Sequence, residues 1–135
     1  MAFAPKSITS IMVNITDSHG WEAMLATSES KLVVLDAHLD WCGHCEAILP
    51  SMSRILVDFD AAEMRFSYCA IDRSKFARDI QKTLPSDSEY NLASMGCTPL
   101  FIIYKNREVV AVVPGVDTPS LMGHIKIMMP KKAVD

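Results

Sequence analysis

Residues 31–45 read Lys-Leu-Val-Val-Leu-Asp-Ala-His-Leu-Asp-Trp-Cys-Gly-His-Cys, and this stretch decides the fold. Its first half, residues 31–37, is a nearly continuous apolar run, which predicts a central β-strand covered on both faces. Its second half ends in Cys42 and Cys45, which lie three positions apart where a long helical period begins. A strand that leads directly into a helix with two cysteines on its first turn indicates chemistry at that junction.

The helix after the cysteines has apolar residues four, three and four positions apart, at Ile48, Met52, Ile55 and Phe59. Pro50 lies inside this period, and we expect the helix to kink there.

A helix that begins near Cys42 places that sulfur at the positive end of the helix dipole, beside unpaired backbone N–H groups. Both favour the thiolate over the thiol. We therefore predict that Cys42 is the exposed nucleophile and Cys45 the less exposed resolving thiol.

Cysteines three positions apart on one helical turn share a face, and their Cα atoms fall in the ~4.4–6.8 Å window of a disulfide. We predict a redox-active disulfide between Cys42 and Cys45, and no other cofactor. Two inert cysteines remain an alternative, as does an iron–sulfur cluster bridging two chains. No metal is expected, because zinc takes four ligands and the chain has one close pair. Cys69 is expected to be a small buried hydrophobe.

The flanking sequence predicts further helices and strands on both sides of this motif. Residues 7–15 are β-prone, and Asp17 or Ser18 can cap the helix that follows. The remaining predicted elements are a strand at 65–71, a helix at 74–84, a polar loop at 85–91, strands at 100–104 and 109–113 joined by a short hairpin, and a last helix ending before Pro130.

The predicted order is β-α-β-α-β-α-β-β-α, and this order sets the fold class. Early alternation requires parallel strands with crossover helices, and the late hairpin adds antiparallel strands. The sequence therefore predicts an α/β protein with three layers, α/β/α, around a central mixed sheet.

Length and composition limit the class of protein. The chain has 135 residues, which we interpret as one domain over 1–135, and half of them are hydrophobic. A net charge of −3 gives no basic surface for nucleic acid or an anionic membrane. No apolar run approaches the ~20 residues of a bilayer span, and the first residues do not read as a signal peptide. We expect a soluble, cytoplasmic protein.

The motif at 41–45, the proline at position 50 and Thr98-Pro99 before a hairpin resemble the thioredoxin family over nearly the whole chain. The resemblance implies that Asp36 is the buried carboxylate that moves the resolving cysteine's proton. It also implies that Pro50 kinks the helix and that Pro99 is a cis-proline facing the dithiol. The residues that it places on the substrate-docking surface are Trp41, Gly43, Thr98, Pro99 and Gly115.

His44 departs from the usual thioredoxin pattern, which has proline there; Cys-Gly-His-Cys resembles protein disulfide isomerase domains. A protonated imidazole beside Cys42 stabilises its thiolate and thus the reduced form. Thioredoxin and protein disulfide isomerase differ by about 90 mV. Glu46 and Asp40 oppose the effect of His44, since negative charge raises a thiol pKa. We expect an intermediate potential.

Residues 96–101 and 107–116 are similar to thioredoxin domains of ciliary proteins, including the thioredoxin-like light chains of flagellar outer-arm dynein. A cysteine shortly before the cis-proline is familiar in those domains, which makes Cys97 a candidate regulatory thiol. The likeness implies a dynein heavy chain as partner and the axoneme of a cilium or flagellum as location.

The predicted function is thiol–disulfide exchange on a disulfide-bearing protein substrate, of the protein-disulfide reductase type, with a thioredoxin reductase as a further partner. Catalysis is assigned to Cys42, Cys45, Asp36 and His44. Two alternatives remain: a non-catalytic or redox-sensing dynein subunit, and a free cytosolic thioredoxin. For Asp36 the alternative is a polar residue near a strand end. His19, His38 and His124 are interpreted as ordinary surface or partly packed residues.

Overall fold

The computed structural model describes residues 7–42, 46–85, 92 and 96–130, and a five-stranded mixed sheet runs through them. In spatial order the sheet is β1-β3-β2-β4-β5. The strands are β1 (Val13–Ile15), β2 (Leu32–His38), β3 (Phe66–Asp72), β4 (Leu100–Lys105) and β5 (Glu108–Pro114). The α-helices are α1 (Ile8–Ile11), α2 (Ser18–Thr27), α3 (Leu49–Asp58), α4 (Ala77–Thr83) and α5 (Thr118–Met128).

Strand β2 is the centre of the sheet, as its apolar sequence predicts. It pairs with β3 in parallel and with β4 antiparallel, and all seven of its residues are buried. Strand β1 also runs parallel to β3, so the carboxyl ends of β1, β2 and β3 meet at one edge. The cysteine motif follows β2 and therefore starts from that edge.

Two separate apolar cores fill the spaces on either side of the sheet. On one side Trp21 and Met24 of α2 and Ile80 of α4 pack on the sheet. On the other, helices α1, α3 and α5 pack on the sheet, with Met52 and Ile125 fully buried. The predicted three-layer α/β/α fold is thus confirmed. Asp17 caps α2, because its Oδ1 accepts a hydrogen bond from the Gly20 N–H at 2.7 Å.

The N-terminal segment differs from the prediction of a single β-prone run. Ser7 caps the short helix α1, and strand β1 follows only from Val13. Ile8 is fully buried, and its N–H donates to the Ser53 Oγ of α3 at 2.9 Å. This contact with α3 outweighs the preference of Ile8, a β-branched residue, for a β-strand.

Pro50 also differs from its predicted role, since it lies in the first turn of α3 and does not kink a longer helix. The described residues before α3 form separate 3₁₀ turns at Asp40–Cys42 and Glu46–Ile48. Proline is well suited to a first turn, because the N–H it lacks would have no helical partner there.

The β4–β5 hairpin is confirmed, and its turn is built by the two residues between the strands. Asn106 and Arg107 have φ of 52° and 67°, the left-handed pair that matches the twist of a two-residue hairpin. Their N–H groups donate to Ser28 after α2, to its carbonyl at 2.7 Å and its Oγ at 2.8 Å. The tip of the hairpin is therefore fixed to the C-terminal end of α2.

Candidate functional site

Asp36 is a carboxylate within the buried central strand, where its side chain is 1% exposed. The hydroxyl of Tyr68, on the neighbouring strand β3, donates to Asp36 Oδ2 at 3.2 Å. A buried carboxylate costs several kcal/mol unless it is hydrogen-bonded or used in chemistry. The sequence finds this residue because a charge within an apolar run is unusual.

The cysteine motif follows Asp36 after a short turn. Trp41 lies in the 3₁₀ turn Asp40–Cys42 and is 75% exposed. Gly43, His44 and Cys45 lie outside the described residues, as does the side chain of Cys42. Among the described residues, Cys42 ends a 3₁₀ turn and α3 begins at Leu49, so the α-helical N-terminus predicted near Cys42 is not seen in that part of the chain.

The loop before β4 carries the predicted docking residues Thr98 and Pro99. Thr98 is exposed, Pro99 is half-buried, and the Pro99 carbonyl accepts a hydrogen bond from Gly115 N–H at 2.8 Å. Gly115 therefore lies beside Pro99, and the docking role of both residues stays a prediction. The cis isomer expected for Pro99 is wrong, because the peptide bonds among the described residues are all trans. The two isomers differ intrinsically by only about 0.5–1 kcal/mol, so the sequence does not determine which one forms.

Gly115 is needed for its backbone conformation and not for lack of space. Its φ is +73°, and an added Cβ would meet nothing within 4 Å. We expect Gly115→Ala to lower the free energy of unfolding by roughly 1–2 kcal/mol, the cost of the left-handed conformation. Gly123→Ala in α5 is the matched control: its Cβ also meets nothing within 4 Å, and alanine in a helix should stabilise by about 0.5–1 kcal/mol. Urea unfolding of both variants checks this, and equal effects at the two positions would contradict it.

Arg73 joins the two segments of the site and is 1% exposed. Its Nη1 donates to the Ala37 carbonyl in β2 at 3.0 Å, and its Nη2 donates to the Gly96 carbonyl. Burial lowers the pKa of Arg73, while the carboxylates of Asp72 and Asp36 act against that change. One guanidinium thus holds the strand before the cysteine motif against the loop before Pro99. Sequence reasoning missed it, because an arginine after a strand is usually a surface residue.

His38 is 5% exposed and not a surface or partly packed residue as predicted. It lies at the end of β2, between two carboxylates. Its Nδ1 is 4.0 Å from Asp36 Oδ1, and its Nε2 is 3.0 Å from Asp40 Oδ1. The sequence does contain one indication that His38 lies beside Asp36: the two residues are two positions apart in a strand, and such residues point to the same face.

A cavity of about 200 Å³ opens beside His38 at the carboxyl edge of the parallel strands. Asp40, Asp72 and Lys75 supply its charged lining, and Lys75 Nζ is 3.6 Å from Asp40 Oδ2. Burial raises the pKa of Asp72, but hydrogen bonds involving Ser74 and Asp40, together with the Lys75 charge, leave the pKa below its ordinary value. A second cavity, of about 380 Å³ and mainly apolar, lies beside Trp41, Leu39 and Arg73.

The two cysteines outside the motif differ sharply. Cys69 is free and 2% exposed, and burial raises its thiol pKa to about 11, in keeping with the predicted structural role. Cys97 is exposed and lies next to Thr98 in the loop before β4. Its candidate role as a regulatory thiol remains a prediction.

Within the part of the chain that the structure describes, His, Cys, Asp and Glu side chains do not come together in threes in a way suited to a metal ion. The described helices are all too short or too polar to span a membrane.

Relatives of this chain share both its sequence and its fold. Thioredoxin domain-containing protein 6 of Homo sapiens is 27% identical over 116 residues, which are 86% of this chain and 31% of the relative. The 16 kDa light chain of the flagellar outer-arm dynein of Chlamydomonas reinhardtii is 30% identical over 104 residues, 76% of this chain and 60% of that one. The chain thus spans less than two thirds of either relative.

Among solved structures, thioredoxin NaTrxh from Nicotiana alata superposes with a TM-score of 0.64. The two chains are 18% identical, and the match covers 96% of this chain and 99% of that one, which shows a common fold. The thioredoxin family model matches residues 12–126, from the start of β1 to the last turns of α5. The chain therefore belongs to the thioredoxin family.

Proposed function

We propose that this chain carries out thiol–disulfide exchange through Cys42 and Cys45. The observation that carries the proposal is Asp36, a carboxylate 1% exposed in the central strand six positions before Cys42. A buried carboxylate is a poor packing residue but a suitable proton acceptor for a thiol. The exposed Trp41 and the adjoining Pro99–Gly115 segments support a docking surface for a protein disulfide.

In the proposed reaction the Cys42 thiolate attacks one sulfur of the substrate disulfide, and the other sulfur leaves as a thiolate. The Cys45 thiol gives its proton to Asp36, and the resulting thiolate attacks Cys42 and releases the second substrate thiolate. The substrate disulfide gains two electrons, and the dithiol loses them to become the Cys42–Cys45 disulfide. A reductase of the thioredoxin reductase type would restore the dithiol.

The place of action that we propose is a dynein outer arm in the axoneme, with a dynein heavy chain as binding partner. The support is the 30% identity to a chain named as a light chain of that arm. The same likeness favours the second candidate function, a redox-sensing dynein subunit in which the dithiol does not turn over.

The deciding test is a redox titration of the full chain against glutathione, with thiol alkylation and mass spectrometry of the cysteine peptides. We expect one two-electron transition that links Cys42 to Cys45, at a potential between those of thioredoxin and protein disulfide isomerase, roughly −270 to −180 mV. A Cys97→Ser variant assigns the bond, because its transition should be unchanged if the couple is Cys42–Cys45. Absence of a transition anywhere from about −320 to −120 mV would exclude exchange chemistry.

A further inference from the structure

His38 connects the buried Asp36 to the protein surface. On one side it faces Asp36, with Nδ1 4.0 Å from Oδ1 and 3.4 Å from the backbone carbonyl of the same residue. On the other side it faces Asp40, which is 57% exposed, across a hydrogen bond of 3.0 Å. The imidazole thus lies between a carboxylate without solvent access and one with it.

Both ring nitrogens of His38 face oxygen atoms. The ionised Asp40 carboxylate accepts only, so that contact requires a proton on Nε2. Nδ1 faces the carbonyl and the carboxyl group of Asp36, so a second proton is held between Nδ1 and Asp36, either on the ring or on the carboxyl group.

We propose that His38 is a positioning residue that passes a proton between Asp36 and solvent during the resolving step. This inference rests on the proposed exchange function and extends it. The proton that Asp36 takes from Cys45 moves to His38 Nδ1, and the proton on Nε2 leaves through Asp40 and the adjoining cavity. One proton enters the ring and one leaves it, and no electrons move.

Several charged groups surround this path, and each bears on its pH dependence. Asp36 lies on the same strand, and Asp40 and Lys75 form an ion pair at 3.6 Å at the cavity mouth. Asp72 of β3 lies opposite His38 in the pairing of the two strands. The backbone N–H of Arg73 donates to the His38 carbonyl at 2.8 Å.

The kinetic test uses a symmetrical aromatic disulfide whose released thiolate is coloured, mixed in one equivalent with the reduced full chain in a Cys97→Ser background. The first thiolate released reports attack by Cys42, and the second reports resolution by Cys45. We expect the rate of the second phase to depend on pH, because the relay needs a ring that both accepts and releases a proton. His38→Gln should weaken that dependence and slow the second phase about tenfold, less than the roughly 10²–10⁴-fold of direct proton-transfer catalysis because His38 acts through Asp36.

The first phase should change less than twofold in His38→Gln, and His19→Gln, at an exposed histidine, should leave both profiles as they are. If His38→Gln keeps the wild-type pH profile, or slows both phases equally, the relay is refuted. A wild-type protein with no second phase would instead refute the exchange function on which the relay rests.

A second measurement does not need turnover or a folded His38 variant. NMR spectra of the ring nitrogens in wild type and Asp36→Asn report which nitrogens of His38 carry protons. Loss of the Asp36 carboxyl group should change the signal of His38 Nδ1, because that nitrogen faces Asp36, and leave the His19 ring signals unchanged. Identical His38 ring signals in the two proteins would refute the proposed link.

Discussion

Replacing Cys42 with serine is expected to abolish the reduction of a protein disulfide such as insulin, lowering the rate by at least about a thousandfold. A serine hydroxyl is not ionised near neutral pH and does not attack a disulfide. Cys45→Ser should fail differently: it should form a mixed disulfide with the substrate and release one thiol per chain. The measurements are steady-state turnover and mass spectrometry of the trapped species.

The matched control for both variants is Cys69→Ala. Burial raises the pKa of the Cys69 thiol to about 11, so at neutral pH it is protonated and takes no part in exchange. Its removal should leave turnover unchanged. Retained reduction by Cys42→Ser would refute the assignment of the nucleophile.

The same Cys42→Ser protein separates the two candidate functions. If it lacks turnover but still assembles with the dynein outer arm, exchange is the activity and the arm is its location. If assembly itself is lost or no longer responds to oxidation, the redox-sensing subunit is the better description.

The second large effect is expected at Arg73. Arg73→Met keeps the bulk of the side chain but removes donors to the carbonyls of Ala37 and Gly96, each a hydrogen bond from a charged group. Because such bonds contribute roughly 1.5–3 kcal/mol each, we expect the loss of both to lower the free energy of unfolding by about 3–6 kcal/mol. Arg73→Lys should be intermediate, since an ammonium group does not reproduce the planar fork that spans both carbonyls.

Arg54→Met is the control, because Arg54 is 75% exposed and its ion pair with Asp58 spans 3.5 Å. Such surface pairs contribute about 0–1 kcal/mol. Beyond stability, Arg73→Met should raise KM for insulin several-fold through a loosened Gly96–Pro99 loop, with little change in the first phase with the small aromatic disulfide. Equal loss with both substrates would show that Arg73 acts on folding alone.

Much of the fold can be predicted from the sequence, because its signals are local. The apolar run of β2, the hairpin at Asn106–Arg107 and the Asp17 cap each depend on a few adjacent residues. Helix α1 was missed because its burial comes from α3, through the contact of Ile8 with Ser53. The kink predicted at Pro50 is wrong, because the spacing of apolar residues along the helix does not show at which residue the helix begins.

The sequence offers candidate site residues one by one, but it does not show the contacts between them. Asp36 stands out in its strand, whereas His38 and Arg73 acquire their importance only from what folding brings to them. Arg73 contacts a carbonyl of a distant loop, and His38 is enclosed by strand β3 and the Asp40 turn. These contacts join segments that are separate in the sequence, so the sequence alone does not show them.

The position of β2 in the sheet also has a consequence for synthesis of the chain. Asp36 pairs across the antiparallel side with Phe101, which lies in the last third of the sequence. An elongating polypeptide therefore contains both cysteines long before β4 can cover that side of β2. Because such long-range pairing forms late, Asp36 becomes buried only as folding is completed. If Asp36 accepts the proton of Cys45 as proposed, a nascent chain carries its cysteine pair before the group that serves it is in place.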